Sequence, residues 1–98
     1  TDDEGEYNQK MSKLRMQIDE FDEKLLEILG NRMKVVDKIG LLKKEKNVAI
    51  LQNQRWNEIL SKMILKGEEK GLSNEFVMQL FKAIHQESIS HQEKVINK

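Results

Sequence analysis

Apolar side chains recur along the first half of the chain at alternating steps of four and three residues. The members of this stripe are Leu14, Ile18, Phe21, Leu25, Ile28, Val35, Ile39 and Leu42. The spacing predicts one face of an α-helix running from about Met11 to Lys46. Such a helix is about 54 Å long, whereas a compact domain of this size has a radius of gyration of about 13 Å. We therefore expect the stripe to be buried by an antiparallel second copy.

Two shorter helices are predicted in the second half of the chain. Asn47 is a suitable left-handed stop for the first helix, and a second helix is expected from about Ile50 to Lys70. Its inward face is predicted to carry Gln52, Trp56, Ile59, Leu60 and Met63. Gly71 is typical of a helix end, and Ser73 is a suitable N-cap for a third helix with Glu75 in its first turn. The predicted fold class is all-α, a three-helix protomer with a long first helix in an intertwined antiparallel homodimer.

Composition narrows the class of protein. Residues 1–10 are acidic, polar and aperiodic, so they are interpreted as a linker-like segment before a helical domain at 11–98. Seventeen basic residues balance seventeen acidic ones, and we expect no nucleic-acid or membrane partner. The chain has no cysteine, no secretory signal and no apolar run of about 20 residues, so a cytoplasmic location is expected.

Arg32 interrupts the apolar stripe between Ile28 and Val35. A guanidinium stays charged and is rarely buried alone, so this position predicts either an internal carboxylate partner or a bound anion. Lys43 projects from nearly the same face about 16 Å further along, and the two cations together could hold a small dianion. Arg15 lies about 42 Å from Lys43 along the helix, so it could join that site only from a second, antiparallel copy.

Each cation also has an ordinary structural explanation. Lys43 is close to Lys44 and Lys46, and basic residues in the last turn of a helix are usually solvated and favoured by the helix dipole. The alternative ion pairs are Arg15 with Asp19, Arg55 with Glu58, and Arg32 with an acid of another helix.

The third helix changes character towards its C-terminus. Its apolar face, formed by Val77, Leu80, Phe81 and Ile84, continues at helical spacing as Ser88 and Gln92. These residues predict either a frayed, solvated end or the polar wall of a site. His85 and His91 are wrongly spaced for a shared metal and are expected on the surface, and no metal or cofactor is expected. Without an oriented nucleophile, the cations and amides favour a reaction in which the protein holds an anion and stabilises moving charge.

Several short motifs occur in order along residues 11–95. They are Leu14-Arg15-x-x-Ile18-Asp19-x-x-Asp22-x-x-Leu25-Leu26, Asn31-Arg32-Met33, Ile39-Gly40-x-x-Lys43, Gln52-x-x-Arg55 and Glu87-Ser88-Ile89-x-x-Gln92. Their order and spacing resemble the all-helical, type II chorismate mutases. The resemblance implies a dimer that rearranges chorismate to prephenate in aromatic amino acid biosynthesis.

The resemblance also implies a role for each matched residue. Lys43 and Gln92 would be catalytic and donate to the ether oxygen of the substrate. Arg15, contributed in trans, and Arg32 would bind the two carboxylates, while Arg55 and Ser88 would line the same pocket. At position 52 the family often has an aspartate, and here the carbonyl of Gln52 could accept a hydrogen bond from the ring hydroxyl instead.

Trp56 departs from the familiar pattern, because many family members carry a glutamate at this position. An arginine followed by tryptophan resembles the pattern at this position in the mutase domains fused to 3-deoxy-7-phosphoheptulonate synthase. An isochorismate pyruvate lyase of the same fold also lacks this glutamate, so that activity is a second interpretation of the sequence. A non-catalytic helical dimerisation or regulatory module is a third interpretation, since it would keep the apolar stripe.

Overall fold

The regular structure of this chain is entirely helical in the part that the computed structural model describes, which is residues 2–98, with side chains from residue 3. The helices are α1 (Asp2–Lys46), α2 (Asn53–Glu69) and α3 (Asn74–Ile96). The predicted fold class and three-helix protomer are confirmed. None of these helices is long and apolar enough to cross a lipid bilayer.

The predicted helix stops have the expected local geometry. Asn47 follows α1 with φ 55°, and Gly71 follows α2 with φ 81°, both in the left-handed region that ends helices. The Leu72 amide closes the end of α2 by donating to the Gly67 carbonyl at 2.9 Å. Ser73 caps α3, its Oγ accepting a hydrogen bond from the Phe76 amide at 3.3 Å.

The predicted helix starts are less accurate. α1 begins at Asp2 rather than near Met11. Acidic side chains at the start of a helix interact favourably with its dipole, and Glu6 pairs with Lys10 at 3.0 Å one turn later. α2 begins after Gln52, whose backbone is extended at φ −124°, and not at Ile50. The proposed boundary between residues 1–10 and 11–98 stays a prediction, and Thr1 lies outside the described residues.

The chain divides into two compact units, residues 1–32 and residues 33–98. The first unit is the N-terminal part of α1. Its members of the apolar stripe are Leu14, Ile18, Phe21, Leu25 and Ile28, and each is 49% to 65% exposed. Nothing in the described chain covers this face.

The second unit packs the end of α1, α2 and α3 together through close backbone approaches. A Cβ built on Gly40 of α1 would lie 3.3 Å from the Cα of Gln92. A Cβ built on Gly67 of α2 would lie 2.6 Å from Cγ2 of Val77, which is 2% exposed. Gly40 thus lies in close contact with α3, whereas Gly30 of the same helix has nothing within 4 Å among the described residues.

The face of α1 that meets α3 lies beside the predicted stripe. Val36 is buried and Gly40 contacts α3, whereas the stripe members Val35, Ile39 and Leu42 stay 40% to 60% exposed. α1 therefore has two apolar faces in this unit. One packs within the chain, and the other is uncovered.

Candidate active site

Lys43, near the end of α1, and Gln92, on α3, form the centre of the candidate site. The Lys43 ammonium donates to Oε1 of Gln92 at 2.7 Å and to the main-chain carbonyl of Ile50 at 2.7 Å. Gly40 lies one turn before Lys43, and its missing side chain lets α3 approach closely enough for this contact. The structure thus brings together the two residues predicted to be catalytic.

Ser88 lies one turn before Gln92 on α3, and the two side chains form a buried polar wall beside Lys43. Each is 7% exposed, so the frayed-end interpretation of the third helix is wrong. Ser88 donates from Oγ to the Ile84 carbonyl at 2.8 Å, and Gln92 donates from Nε2 to the Ser88 carbonyl at 3.3 Å. Met33 on α1 contacts Ser88, with its sulfur 3.9 Å from the hydroxyl. The polar groups are therefore held in place by their own helix and by α1.

The environment of Lys43 differs from that of an ordinary lysine at a helix end. It is half-buried, and this desolvation lowers the pKa of its ammonium group below the usual value. Neither acceptor is charged, so no carboxylate opposes this shift. The solvated-end interpretation therefore fits Lys44, whose Nζ donates to the exposed Lys98 carbonyl at 3.0 Å, and is wrong for Lys43.

The start of α2 supplies a more open part of the same unit. Gln52 and Arg55 are exposed and line a shallow hollow with Glu58. Arg55 approaches Glu58 to 4.0 Å, with 68% and 59% of the two side chains exposed, so the predicted alternative pair is present but contributes little stability. The Gln52 side chain makes no capping hydrogen bond to its own helix.

The two histidines, which were expected at the surface, both make side-chain contacts with other helices. Trp56 stacks on His85 with ring centroids 4.1 Å apart and an interplanar angle of 18°, which supports a packing role for this tryptophan. His91 lies 2.8 Å from the Asp37 carboxylate through Nδ1. Both histidines are half-buried, so their prediction as surface residues is wrong. The described residues contain no cluster of three or more potential metal ligands.

Arg15 and Arg32 belong to the first unit, and their predicted substrate contacts stay predictions. Arg32 is half-buried and Arg15 is exposed. Arg15 lines a shallow hollow that also includes Tyr7 and Asp19. No ion pair between Arg15 and Asp19 occurs among the described side chains, although their spacing would permit one.

The contacts that the sequence did not predict are those made by main-chain groups or across helices. The Ile50 carbonyl is one, because a carbonyl acceptor leaves no mark on the residue type. The Asp37–His91 pair is another, since it depends on how α3 is aligned along α1. The sequence signal for these contacts is Asn47, whose preference for left-handed backbone indicates a turn directly after α1.

The assembled groups can hold and polarise an anion. Lys43 provides a cationic donor and Gln92 an amide, while Ser88 is already hydrogen-bonded to its own helix. Arg55 and Gln52 line a different hollow, which includes neither Lys43 nor Gln92 among its lining residues. Lys43 and Gln92 suit electrostatic stabilisation of developing negative charge, which requires positioned donors and no covalent intermediate.

Comparison with known proteins agrees with this chemistry. The family model described as chorismate mutase type II matches residues 14–93. A bifunctional chorismate mutase/prephenate dehydratase from Buchnera aphidicola subsp. Acyrthosiphon pisum (strain APS) is 34% identical over 91 residues, which cover 93% of this chain and 24% of the relative. A protein with the same name from Buchnera aphidicola subsp. Schizaphis graminum (strain Sg) is 30% identical over 84 residues, covering 86% and 22%.

The chain spans about a quarter of the length of these two curated relatives. Both names pair the mutase with a prephenate dehydratase and not with the synthase that the Arg55–Trp56 pattern resembles. The predicted family itself is confirmed, because the match covers most of the chain and includes Lys43, Ser88 and Gln92. On this match and on the site described above, the chain belongs to the type II chorismate mutase family.

Proposed function

We propose that this chain rearranges chorismate to prephenate at the site formed by Lys43 and Gln92. The observation that carries the proposal is the 2.7 Å hydrogen bond between these side chains, made where Gln92 is buried and Lys43 half-buried. A buried amide that is hydrogen-bonded to a partly desolvated ammonium adds little to folding, since the hydrogen bond does little more than offset the cost of removing both groups from water. It has considerable value for stabilising charge that develops on a bound substrate.

The reaction needs no general base and no nucleophile from the protein. The enolpyruvyl arm of chorismate folds over the ring, one carbon–oxygen bond breaks and one carbon–carbon bond forms. Negative charge develops on the ether oxygen as the first bond lengthens. Lys43 has three ammonium protons and Gln92 two amide protons, so each keeps a donor for this oxygen after its contacts within the chain.

The remaining predicted residues would bind chorismate before it reacts and select its folded conformation. Arg32 of the same chain and Arg15 of a second chain would bind the two carboxylates. Arg55 and Ser88 would line the pocket, and the Gln52 carbonyl would accept a hydrogen bond from the ring hydroxyl. Holding the arm over the ring lowers the entropic part of the barrier.

A second copy of the chain is the proposed cover for the exposed stripe. Its eight members are each 40% to 65% exposed in the single chain, and contiguous apolar surface of this kind is uncommon in monomeric proteins. An antiparallel pairing of two α1 helices would bury both stripes. It would also carry Arg15 of one chain to the site of the other.

We further propose that the mutase works beside a second enzyme of the aromatic pathway. The names of the two Buchnera relatives support a prephenate dehydratase, which would act on the mutase product. The Arg55–Trp56 pattern instead supports a 3-deoxy-7-phosphoheptulonate synthase. Assaying the full-length protein for both reactions distinguishes the two partners.

The decisive experiment supplies the purified chain with chorismate or with isochorismate. Prephenate from chorismate supports the proposal. Salicylate and pyruvate from isochorismate, with chorismate untouched, would identify the lyase that lacks the same glutamate. No turnover of either compound by a folded dimer would indicate a non-catalytic module, in which alanine at Lys43 and Gln92 changes nothing.

A further inference from the structure

The Lys43 ammonium is held from two sides before any substrate arrives. It has three protons, of which Gln92 Oε1 and the Ile50 carbonyl each accept one at 2.7 Å. The tetrahedral geometry of the ammonium then fixes the direction of the third proton. A single acceptor would leave the group free to rotate about that one bond.

The Ile50 carbonyl reaches Lys43 because the chain reverses direction directly after α1. Asn47 has φ 55°, and the next amide, that of Val48, donates to the main-chain carbonyl of Lys43 at 2.9 Å. The chain then returns, and the Ile50 carbonyl meets the Lys43 side chain. We call residues 47–50 the lysine turn. It binds Lys43 through both the main chain and the side chain.

We propose that the lysine turn is a positioning element for the mutase reaction, in which the left-handed Asn47 places the Ile50 carbonyl to aim the Lys43 ammonium at the reacting oxygen. This role rests on the function proposed above. An uncharged carbonyl suits it better than a carboxylate. It directs the ammonium without cancelling the positive charge that the transition state needs.

The backbone of Asn47 offers a way to disturb the turn without touching the site. Asparagine enters the left-handed region far more readily than most residues, glycine enters it freely, and β-branched residues resist it most. Asn47→Gly therefore preserves the turn, whereas Asn47→Val favours a different path for residues 47–50. The Lys43, Gln92 and Ile50 side chains are the same in both variants.

The first test compares kcat, KM and the melting temperature of these two variants. We expect Asn47→Val to lower kcat by roughly tenfold or more with a smaller change in KM, because the aimed donor acts mainly in the transition state. Asn47→Gly should keep kcat within about twofold of the parent. Equal kcat values for a folded Asn47→Val variant and the parent would overturn the proposal.

The second test weakens the carbonyl itself and avoids any loss of folding caused by valine. Replacing Leu51 with its α-hydroxy acid by chemical ligation turns the Ile50 carbonyl into an ester, which is a poorer acceptor. The same exchange at Ala49 is the matched control. It alters the Val48 carbonyl, which accepts nothing from Lys43 among the described residues.

The readout is the pKa of Lys43, measured by NMR of its side chain in the substrate-free protein, together with kcat. A hydrogen bond to the ammonium favours the charged form, so the ester at Leu51 should lower this pKa and kcat, and the ester at Ala49 should change neither. If the parent rearranges chorismate but the Leu51 ester changes neither quantity, the lysine turn has no positioning role. If the parent is inactive while the ester still lowers the pKa, the contact is upheld and the proposed function fails.

Discussion

Lys43 is the residue on which the proposed chemistry depends most directly. We expect Lys43→Ala to lower kcat by about 10²- to 10³-fold, the range found when one preorganised donor to a developing oxyanion is removed. Steady-state rates of prephenate formation measure the effect. Lys44→Ala is the matched control, because the hydrogen-bond partner of this neighbouring lysine among the described residues is the exposed Lys98 carbonyl. Similar losses in both variants would indicate a general effect of charge at the end of α1.

The pH dependence of the rate follows from the same side chain. Burial lowers the pKa of Lys43, and only the protonated form donates to the ether oxygen. We therefore expect kcat/KM, which reports ionisations of the substrate-free protein, to hold at lower pH and to fall as pH rises through this lowered pKa, earlier than a fully solvated lysine would allow. A rate that stays constant throughout the alkaline range would exclude Lys43 as the donor.

The contribution of Lys43 to the free energy of unfolding should rise over the pH interval in which the rate falls. In the unfolded chain Lys43 regains its ordinary, higher pKa, so the unfolded state binds more protons there than the folded state. The contribution of this group to the free energy of unfolding consequently rises with pH. A melting curve recorded at each pH separates loss of the proton from loss of the fold.

At the scale of the helices, Gly40 controls how closely α1 and α3 approach. An added methyl at Gly40→Ala would lie 3.3 Å from the Cα of Gln92, a main-chain atom that cannot rotate away. We expect α3 to move by a few tenths of an ångström and kcat to fall roughly 3- to 10-fold, because catalytic donors tolerate little displacement. The gain in helix propensity, about 1 kcal/mol, should offset much of the packing cost in the melting temperature.

Gly5→Ala is the matched substitution for Gly40→Ala. It lies on the same helix and has nothing within 4 Å, so it should raise the melting temperature slightly and leave kcat unchanged. If Gly40→Ala retained the parent's kcat, the alignment of α1 and α3 would not limit the reaction.

The helix ends show which parts of the fold can be predicted from local signals. Asn47, Gly71 and Ser73 each impose a backbone geometry through their own chemistry, and each lies where a helix ends or begins. The start of α1 has no comparable signal. Its acidic first turns resemble a solvated linker in composition, although they also favour a helix N-terminus.

In the candidate site too, some features follow from local sequence signals and others do not. Ser88 and Gln92 could be predicted because they continue an apolar face and so must either fray or be buried. The Trp56–His85 stack and the Asp37–His91 pair could not, because each depends on how two different helices are aligned along one another. Periodicity shows which face of a helix turns inwards, but it does not show which other helix packs against that face.

At the scale of the whole molecule, the proposed dimer predicts that two strongly impaired variants can restore activity to each other. We expect Arg15→Ala and Lys43→Ala each to rearrange chorismate far more slowly than the parent and to regain prephenate formation after their subunits exchange. One site of the mixed dimer then has every group, while the other lacks two. The rate should approach about one quarter of the parent's, since random exchange makes half of the dimers mixed and half of their sites complete.

The exchange itself must be verified before that result is interpreted. Mixing differently tagged copies and recovering both on one affinity resin shows that subunits have redistributed. A mixture that has exchanged and stays inactive would place Arg15 outside the neighbouring site. An increase in rate without exchange would show that the recovery does not come from mixed dimers.

The interior of this chain places an unusual limit on how the protein can be made more heat-resistant. Among the described residues, the buried hydrophobic side chains are Val36 and Val77, and the buried polar ones are Ser88 and Gln92. One common way to raise the melting temperature of a protein in the laboratory is to fill its interior with larger apolar side chains. Here that route would replace the amide that binds Lys43. Thermostable variants that keep the parent's kcat should therefore accumulate substitutions at exposed helical positions and along the stripe at which two chains would pair.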